Sequence, residues 1–216
     1  MEQELTLTWE QRKLGDEVSE IIAGGDVNRL KLVEKGKYPV VANAFTDNGI
    51  VGYYAEDYRI KAPAVTVTGR GDVGHAQARK VNFTPVVRLL SLTSRHDVDF
   101  LAEAINQNDI VLESTGVPQL TVPKLAEYRI YFPPTLDEEK KIGGYFCQLD
   151  HLITLHQCKC KKLICIKKSM LENMFPQKGE KIPRIRFSGF TDAWEQRKLS
   201  QMVEIIGGGT PSTNNP

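Results

Sequence analysis

The first two thirds of the chain alternate short apolar runs with polar turns, which is the pattern of a sheet-rich domain. Glycine and asparagine mark the turns, for example at residues 47–49 and 69–71. Residues 98–106 instead place several apolar side chains on one helical face. Because most gaps between runs are too short for a crossover helix, the pattern predicts an α+β fold. The predicted strands are residues 38–41, 64–68, 86–90, 110–112 and 128–131.

From residue 136 onward the apolar positions repeat every 3.5 residues, as in a coiled coil. Residues 135–138 have the sequence of an N-terminal capping box, and Pro176 predicts the end of the helix. Roughly forty residues at ~1.5 Å each give a helix of about 60 Å, too long to be covered by the preceding domain. The helix is therefore predicted to pair with another helix. The residues predicted to line that interface are Ile142, Tyr145, Leu149, Leu152, Ile153, Leu163, Ile166 and Met170.

Polar residues interrupt this stripe near its centre. His156, Lys159 and Cys160 occupy interface positions, where polar side chains set the register of a coiled coil. His156 and Cys160 share a helix face, but Cys158 lies on a different face of the helix. The four ligands of a zinc site therefore do not converge here. We predict no metal site.

One six-residue sequence occurs twice in the chain. Residues 9–14 and 194–199 both read Trp-Glu-Gln-Arg-Lys-Leu, and the similarity continues in residues 20–25 and 204–209. A spacing of about 185 residues is far longer than a solenoid repeat and indicates a duplicated unit of one domain and one helix. The predicted segments are a domain over residues 1–135, a long helix over 136–176, and the start of a second, incomplete unit over 177–216.

The distribution of charge is more informative than the composition. The composition of the 216 residues is close to the globular average, which excludes collagen-like and largely disordered proteins. The sequence shows no membrane-spanning run and no secretory signal, so a cytoplasmic protein is predicted. Residues 1–136 carry 15 basic and 18 acidic side chains, whereas residues 137–184 carry 10 and 6. The positive charge is therefore concentrated on the helical segment.

The order of the motifs resembles one protein family. Trp-Glu-Gln-Arg-Lys-Leu-Gly at residues 9–15 precedes a mixed domain, and Pro-Thr-Leu-Asp-Glu-Glu-Lys-Lys-Ile-Gly at 134–143 opens a long helix that ends in Met-Phe-Pro at 174–176. Ile-Pro-Arg-Ile-Arg-Phe at 182–187 and Phe-Thr-Asp at 190–192 follow. This combination resembles the specificity subunit of type I restriction–modification systems, and the resemblance covers essentially the whole chain.

The resemblance implies a β-rich target recognition domain followed by a long coiled-coil helix, without catalytic residues or a cofactor. In this family two such units form a pseudo-two-fold molecule. Each recognition domain reads half of a split double-stranded DNA target, and the paired helices bind methyltransferase subunits and, through them, the restriction subunit. With one full recognition domain, this chain is expected to be a half-subunit that forms a homodimer through residues 136–175 and reads a spaced palindrome. A truncated or exchangeable cassette is the alternative.

Three turns of the domain carry side chains of the kinds that read DNA. Arginine and glutamine contact guanine and adenine edges, and asparagine, threonine and histidine can contact bases or phosphates. Asparagine and glycine also favour turns for local reasons alone, so a purely structural role stays open for each turn. The predicted DNA-contacting residues are Asn43, Thr46, Asn48, Arg70, His75, Gln77, Arg79, Thr115, Gln119 and Thr121.

Two other classes of function are weighed against this one. Gly69, Gly71 and Gly74 form a G-x-G-x-x-G sequence, which in a dinucleotide-binding enzyme leads directly into a helix. Residues 75–80 leave no room for that helix, so a strand–turn–strand loop is predicted instead. A structural coiled-coil assembly protein without a ligand is the other alternative. We find none of the usual hydrolase, P-loop or metalloprotease motifs and predict no active site.

Overall fold

A computed structural model describes residues 8–44, 46–108, 118–204 and 206–208. The chain divides into two compact units, Met1–Leu152 and Ile153–Pro216. The described elements before the long helix are β1 (Glu10–Lys13), α1 (Leu14–Glu17), β2 (Val18–Ala23), β3 (Tyr38–Val41), β4 (Ile50–Tyr54), β5 (Ala64–Thr68), β6 (Ala76–Arg79), β7 (Thr84–Pro85), β8 (Leu89–Ser94), α2 (Val98–Asn106), α3 (Val122–Ala126) and β9 (Arg129–Phe132). Helix α4 (Leu136–Met174) begins in the first unit and continues into the second.

The described strands of the first unit form three small sheets. An antiparallel sheet has the order β2-β8-β5-β6, a mixed sheet has the order β4-β3-β7, and β1 pairs with β9. Strand β5 is buried along its whole length because its alternate side chains enter two different clusters. Val65 and Val67 pack in the larger cluster with Leu101 and Ile105 of α2, whereas Ala64 packs beside Phe83 in the smaller one. The predicted α+β class is confirmed.

The predicted strands and helix agree with the structure where the hydrophobic pattern of the sequence was strong. The strands predicted over residues 38–41 and 64–68 and the helix over 98–106 coincide with β3, β5 and α2. The single strand predicted over residues 86–90 is wrong. The chain reverses direction there, since the Leu89 amide donates to the Val86 carbonyl (3.1 Å) and Arg88 has a φ of 75°. Residues 110–112 lie outside the described residues.

Helix α4 is exposed along most of its length. The N-cap bond of the predicted capping box forms, with the Glu138 amide donating to Thr135 Oγ1 (3.3 Å), whereas the Glu138 carboxylate accepts from Trp9 Nε1 (3.2 Å). Of its 39 residues only Glu139 and Gly143 are buried. The apolar stripe predicted for helix pairing is therefore accessible from Tyr145 onward. None of the described helices is both long enough and apolar enough to cross a membrane.

The described residues of the second unit fold back along the end of α4. The Ile185 amide donates to the Asn173 carbonyl (3.0 Å), and the ring of Trp194 lies edge-on to Phe175 at 5.7 Å. The repeated hexapeptide behaves differently in its two positions: residues 10–13 form β1, whereas the structure shows no strand over residues 194–199. The first copy is a strand because β9 supplies its hydrogen-bonding partner.

Candidate nucleic-acid interface

The glycine-rich loop between β5 and β6 is a hairpin turn. The two strands are antiparallel, with Thr66 opposite Gln77, and the Gly74 amide closes the turn by donating to the Thr68 carbonyl (2.8 Å). A Cβ on Gly69 would lie 2.5 Å from the Arg88 carbonyl oxygen, so this position requires glycine for close packing. The strand–turn–strand prediction is confirmed, and no helix follows the loop as a dinucleotide site would require.

Asn43 joins two of the predicted DNA-contacting turns. Its Oδ1 accepts a hydrogen bond from the Gly69 amide (3.0 Å), and its Nδ2 donates to the Arg70 carbonyl. Arg70 also forms a backbone bridge with Gln119, next to a hydrogen bond from the Leu120 amide to the Gly69 carbonyl (2.9 Å). Three segments that are distant in sequence are thereby held together. We call Asn43, Arg70 and Gln119 the loop cluster.

Arg79 attaches a further turn to this region. Its Nε donates to Thr66 Oγ1 (3.0 Å), and its Nη1 donates to the Asn48 carbonyl (2.9 Å). Burial lowers the pKa of Arg79 to about 10. Its guanidinium is thus engaged inside the domain, where it fixes the turn Thr46–Gly49. The side chains of Thr46 and Asn48 are exposed on that turn.

His75 and Gln77 line a different surface. They border a cleft of about 550 Å³ whose other walls carry Asp99 and Glu103 of α2 and Asp150 of α4. Burial raises the pKa of Glu103, and the charge of Asp150 adds to that effect. Lys80 also lines the cleft but pairs with Asp99 (2.8 Å), so the cleft keeps an excess of carboxylates, which repels phosphate. The structure therefore does not bring His75 and Gln77 together with the loop cluster in a site suited to DNA.

The remaining two predicted DNA-contacting residues do not help to define the site. Thr121 is half-buried immediately before α3, and Thr115 lies outside the described residues. Among the residues that the structure describes, no group of three or more His, Cys, Asp or Glu side chains is placed to hold a metal ion.

A buried cluster of one histidine and two glutamates anchors α4 to the domain, and no sequence pattern indicates it. His96 Nδ1 lies 2.8 Å from Glu139 Oε1, and His96 Nε2 lies 3.0 Å from Glu17 Oε2. The Asp97 amide donates to the other oxygen of Glu139 (3.1 Å). Glu139 in the first turn of α4 thus holds both His96 and the N-cap of α2. We call Glu17, His96 and Glu139 the helix joint.

Close packing reinforces the helix joint. A Cβ on Gly143 would lie 2.5 Å from the Phe100 amide nitrogen, so α4 crosses the start of α2 at a glycine. Trp9 Nε1 donates to Glu138 Oε1 (3.2 Å), and its ring lies edge-on to Phe100. Ile142, predicted to line the helix pairing, is half-buried against the domain core. The first two turns of α4 therefore belong to the domain.

Acid should weaken the fold through Glu17. Desolvation raises the pKa of Glu17, but hydrogen bonds from His96, Arg95 and Arg12 together lower it below the usual 4.5. A carboxylate with a depressed folded-state pKa contributes stability above its unfolded-state pKa and loses it as the pH falls through the folded-state value. We expect the free energy of unfolding to fall below about pH 4.5, and this loss to be smaller in Glu17→Gln.

Urea unfolding followed by circular dichroism at a series of pH values measures this effect. Glu20→Gln, at an exposed position of β2, is the matched control and should keep the wild-type pH dependence. An acid limb that is the same in Glu17→Gln and wild type would show that Glu17 does not carry it.

Residues 6–164 match the sequence model of the type I restriction modification DNA specificity domain. The chain belongs to this family. Two Mycoplasma pneumoniae proteins described as type I specificity subunits are related to this specificity-domain chain. One is 26% identical over 165 residues, covering 74% of this chain and 45% of the relative. The other is 29% identical over 132 residues, covering 57% and 43%.

Solved structures show that the fold is that of specificity subunits. The specificity-domain chain superposes on the S subunit of a type I system from M. genitalium with a TM-score of 0.58 at 15% identity, covering 79% of this chain and 45% of that one. A chain from a study of type I complex assembly and conformational transition gives a TM-score of 0.57 at 18% identity, covering 74% and 43%. The chain thus spans less than half the length of these relatives.

Proposed function

We propose that this chain reads one half of a split DNA target for a type I restriction–modification complex, and that α4 docks the methyltransferase subunits. The observation that carries the proposal is the loop cluster, in which Asn43, Arg70 and Gln119 come together on a domain of the specificity family. In this proposal the chain supplies sequence specificity, and its partner subunits carry out methylation and cleavage.

The chemistry of the loop cluster suits base recognition. An arginine guanidinium can donate two hydrogen bonds to O6 and N7 of guanine, and a glutamine amide can pair with N6 and N7 of adenine. The backbone bridge between Arg70 and Gln119 fixes the spacing of the two side chains before DNA arrives. Asn43, with its amide committed to the backbone of Gly69 and Arg70, acts as the support of this pair. Such preorganisation lowers the entropy lost on binding.

The second part of the proposal is that two copies pair in antiparallel fashion through α4. The stripe from Tyr145 to Met170 is exposed, and a closed two-fold pair is the simplest way to bury it. Residues 136–155 carry two basic and four acidic side chains, whereas residues 156–175 carry five and one. An antiparallel pair places the acidic half of each helix beside the basic half of the other, which favours that orientation.

Loss of either reading side chain should relax the sequence specificity. We expect Arg70→Ala and Gln119→Ala each to cost about 1–3 kcal/mol of discrimination at one base pair, because each removes a two-bond contact. The measurement is the methylation rate of a duplex library with single base changes in the half-site. Gln77→Ala tests whether a residue of the acidic cleft takes part in base recognition. Gln107→Ala, at an exposed position, is the matched control. Unchanged base preference in Arg70→Ala and Gln119→Ala would place the reading surface elsewhere.

Reconstitution tests the proposed function as a whole. The chain is purified together with the methyltransferase subunit of its system, and transfer of labelled methyl groups to DNA is measured with and without the chain. We expect site-specific methylation only when the chain is present. Equal methylation in its absence, or no association with the methyltransferase subunit, would contradict the proposal.

A further inference from the structure

A short helical turn, Arg29–Lys31, presents an isolated leucine to solvent. The side chain of Leu30 is 97% exposed, more than any other large apolar residue that the structure describes. Single apolar residues on a surface are common and need no explanation by themselves. Leu30 differs because it is almost fully exposed, because a cation lies on either side of it in sequence, and because the turn beneath it is held firmly.

The turn is tied to the domain by several hydrogen bonds. Asn28 Oδ1 accepts from the Leu30 amide (3.0 Å), and the Asn28 amide donates to the hydroxyl of Tyr54 (2.8 Å), whose ring is buried. Directly after the turn, Val33 and Tyr53 exchange two backbone hydrogen bonds of 3.0 and 2.9 Å. Leu30 is thus held at a fixed position above the β3–β4 hairpin.

The segment that carries the turn is basic in sequence, whereas the domain as a whole is slightly acidic, and Asp57 and Glu56 offset part of this charge near Lys31. Residues 28–37 contain four basic side chains and one acidic one, whereas residues 1–136 as a whole carry 15 and 18. Arg29 and Lys31 lie on either side of Leu30 in sequence, and Lys31 Nζ lies 2.7 Å from Asp57 Oδ2 in an exposed pair. A local excess of positive charge favours contact with the phosphate backbone.

The turn is continuous with the predicted reading surface. Residues 34–36, which follow it, line a depression of about 670 Å³ together with Asp47 and Asn48. The floor of the depression is formed by residues 50–53 of β4. Asn48 is in turn bound to Arg79. The depression itself carries Glu34 and Asp47 beside Lys35 and does not favour phosphate, so DNA that meets the Thr46–Gly49 turn would span it and contact the cations at residues 29–31.

We propose that Leu30 is an apolar wedge that enters a groove of the DNA beside the half-site and separates two stacked base pairs, while Arg29 and Lys31 contact the adjoining phosphates. Leucine is one of the side chains that proteins insert between base steps, usually beside arginine or lysine. This inference rests on the proposed function and extends it, since it names a residue that shapes the DNA rather than reading a base edge.

The test compares wild type, Leu30→Ser and Leu30→Met in the complex with the methyltransferase subunit. Duplexes carry 2-aminopurine at successive positions in and beside the half-site, because its fluorescence rises on unstacking. We expect a rise at one step for wild type and Leu30→Met but not for Leu30→Ser. We also expect roughly tenfold weaker site-specific binding for Leu30→Ser, because the apolar surface of the leucine would no longer be buried between the bases. The exposure of Leu30 ensures that none of these changes disturbs the core.

The outcomes separate this inference from the proposed function. Site-specific binding of equal strength in all three proteins, with no fluorescence change at any step, would overturn the wedge and leave the proposed function standing. Failure of Leu30→Ser to co-purify with the methyltransferase subunit would show that Leu30 contacts protein, and would also overturn the wedge. Absence of site-specific binding by the wild-type complex would overturn both.

Discussion

Leu149→Asp or Ile166→Asp should convert the chain from a dimer to a monomer and abolish site-specific methylation. These side chains are 37% and 55% exposed on the stripe of α4, where the proposed pairing would bury them. Burying apolar surface is worth ~25 cal/mol per Å², so a stripe of this length contributes several kcal/mol. A carboxylate placed in that interface would lose hydration without gaining a partner. We expect the dissociation constant of the dimer to rise at least about 100-fold, or ~3 kcal/mol.

Sedimentation equilibrium at micromolar concentrations measures this effect. Ile164→Asp is the matched control, because Ile164 is 62% exposed on α4 but lies outside the predicted stripe. It should leave the dimer intact. A wild-type chain that is monomeric, or equal disruption by Ile164→Asp, would contradict the proposed pairing.

Glu139→Ala should clearly destabilise the recognition domain. It leaves the buried ring of His96 and the Asp97 amide without their acceptor, and it removes the charge that faces His96 across the helix joint. Leaving a buried hydrogen-bonding group without its partner typically costs about 1–3 kcal/mol. We expect a loss of this size in the free energy of unfolding, measured by urea titration with circular dichroism.

Glu138→Ala is the control for this loss. Glu138 is adjacent in sequence and half-buried, and it accepts only the exposed hydrogen bond from Trp9. Its replacement should cost no more than about 1 kcal/mol. Similar losses for the two variants would mean that the helix joint does not anchor α4.

Strands and helices could be predicted from the sequence where their apolar residues are buried in the core, because burial sets the spacing of those residues along the chain. Strand β5 presents Val65 and Val67 to the larger cluster, the buried face of α2 is apolar, and the predicted bounds of both match the observed ones. Strand β1 could not be predicted, because its sequence is polar and it exists only through pairing with β9. The same hexapeptide at residues 194–199, without such a partner, is not a strand.

The sequence predicted which turns carry residue types that read DNA, but not which of those residues the fold brings together. Asn43 and Arg70 are 27 residues apart, and no periodic pattern indicates that one binds the backbone of the other. Arg79 has the residue type of a DNA contact, and only the structure shows that its guanidinium is used internally. The sequence explains Glu139 as a helix-start charge, whereas its role in the helix joint depends on tertiary packing.

Methylation profiling is the sharpest test of the proposal that two copies of one recognition domain read two identical half-sites. Long-read sequencing detects methylated bases in the genome of cells that express the methyltransferase subunit with or without this chain. We expect a methylated motif that appears only with the chain and consists of two inverted identical half-sites separated by an unread spacer. An asymmetric bipartite motif, or a motif that is unchanged when the chain is removed, would contradict it.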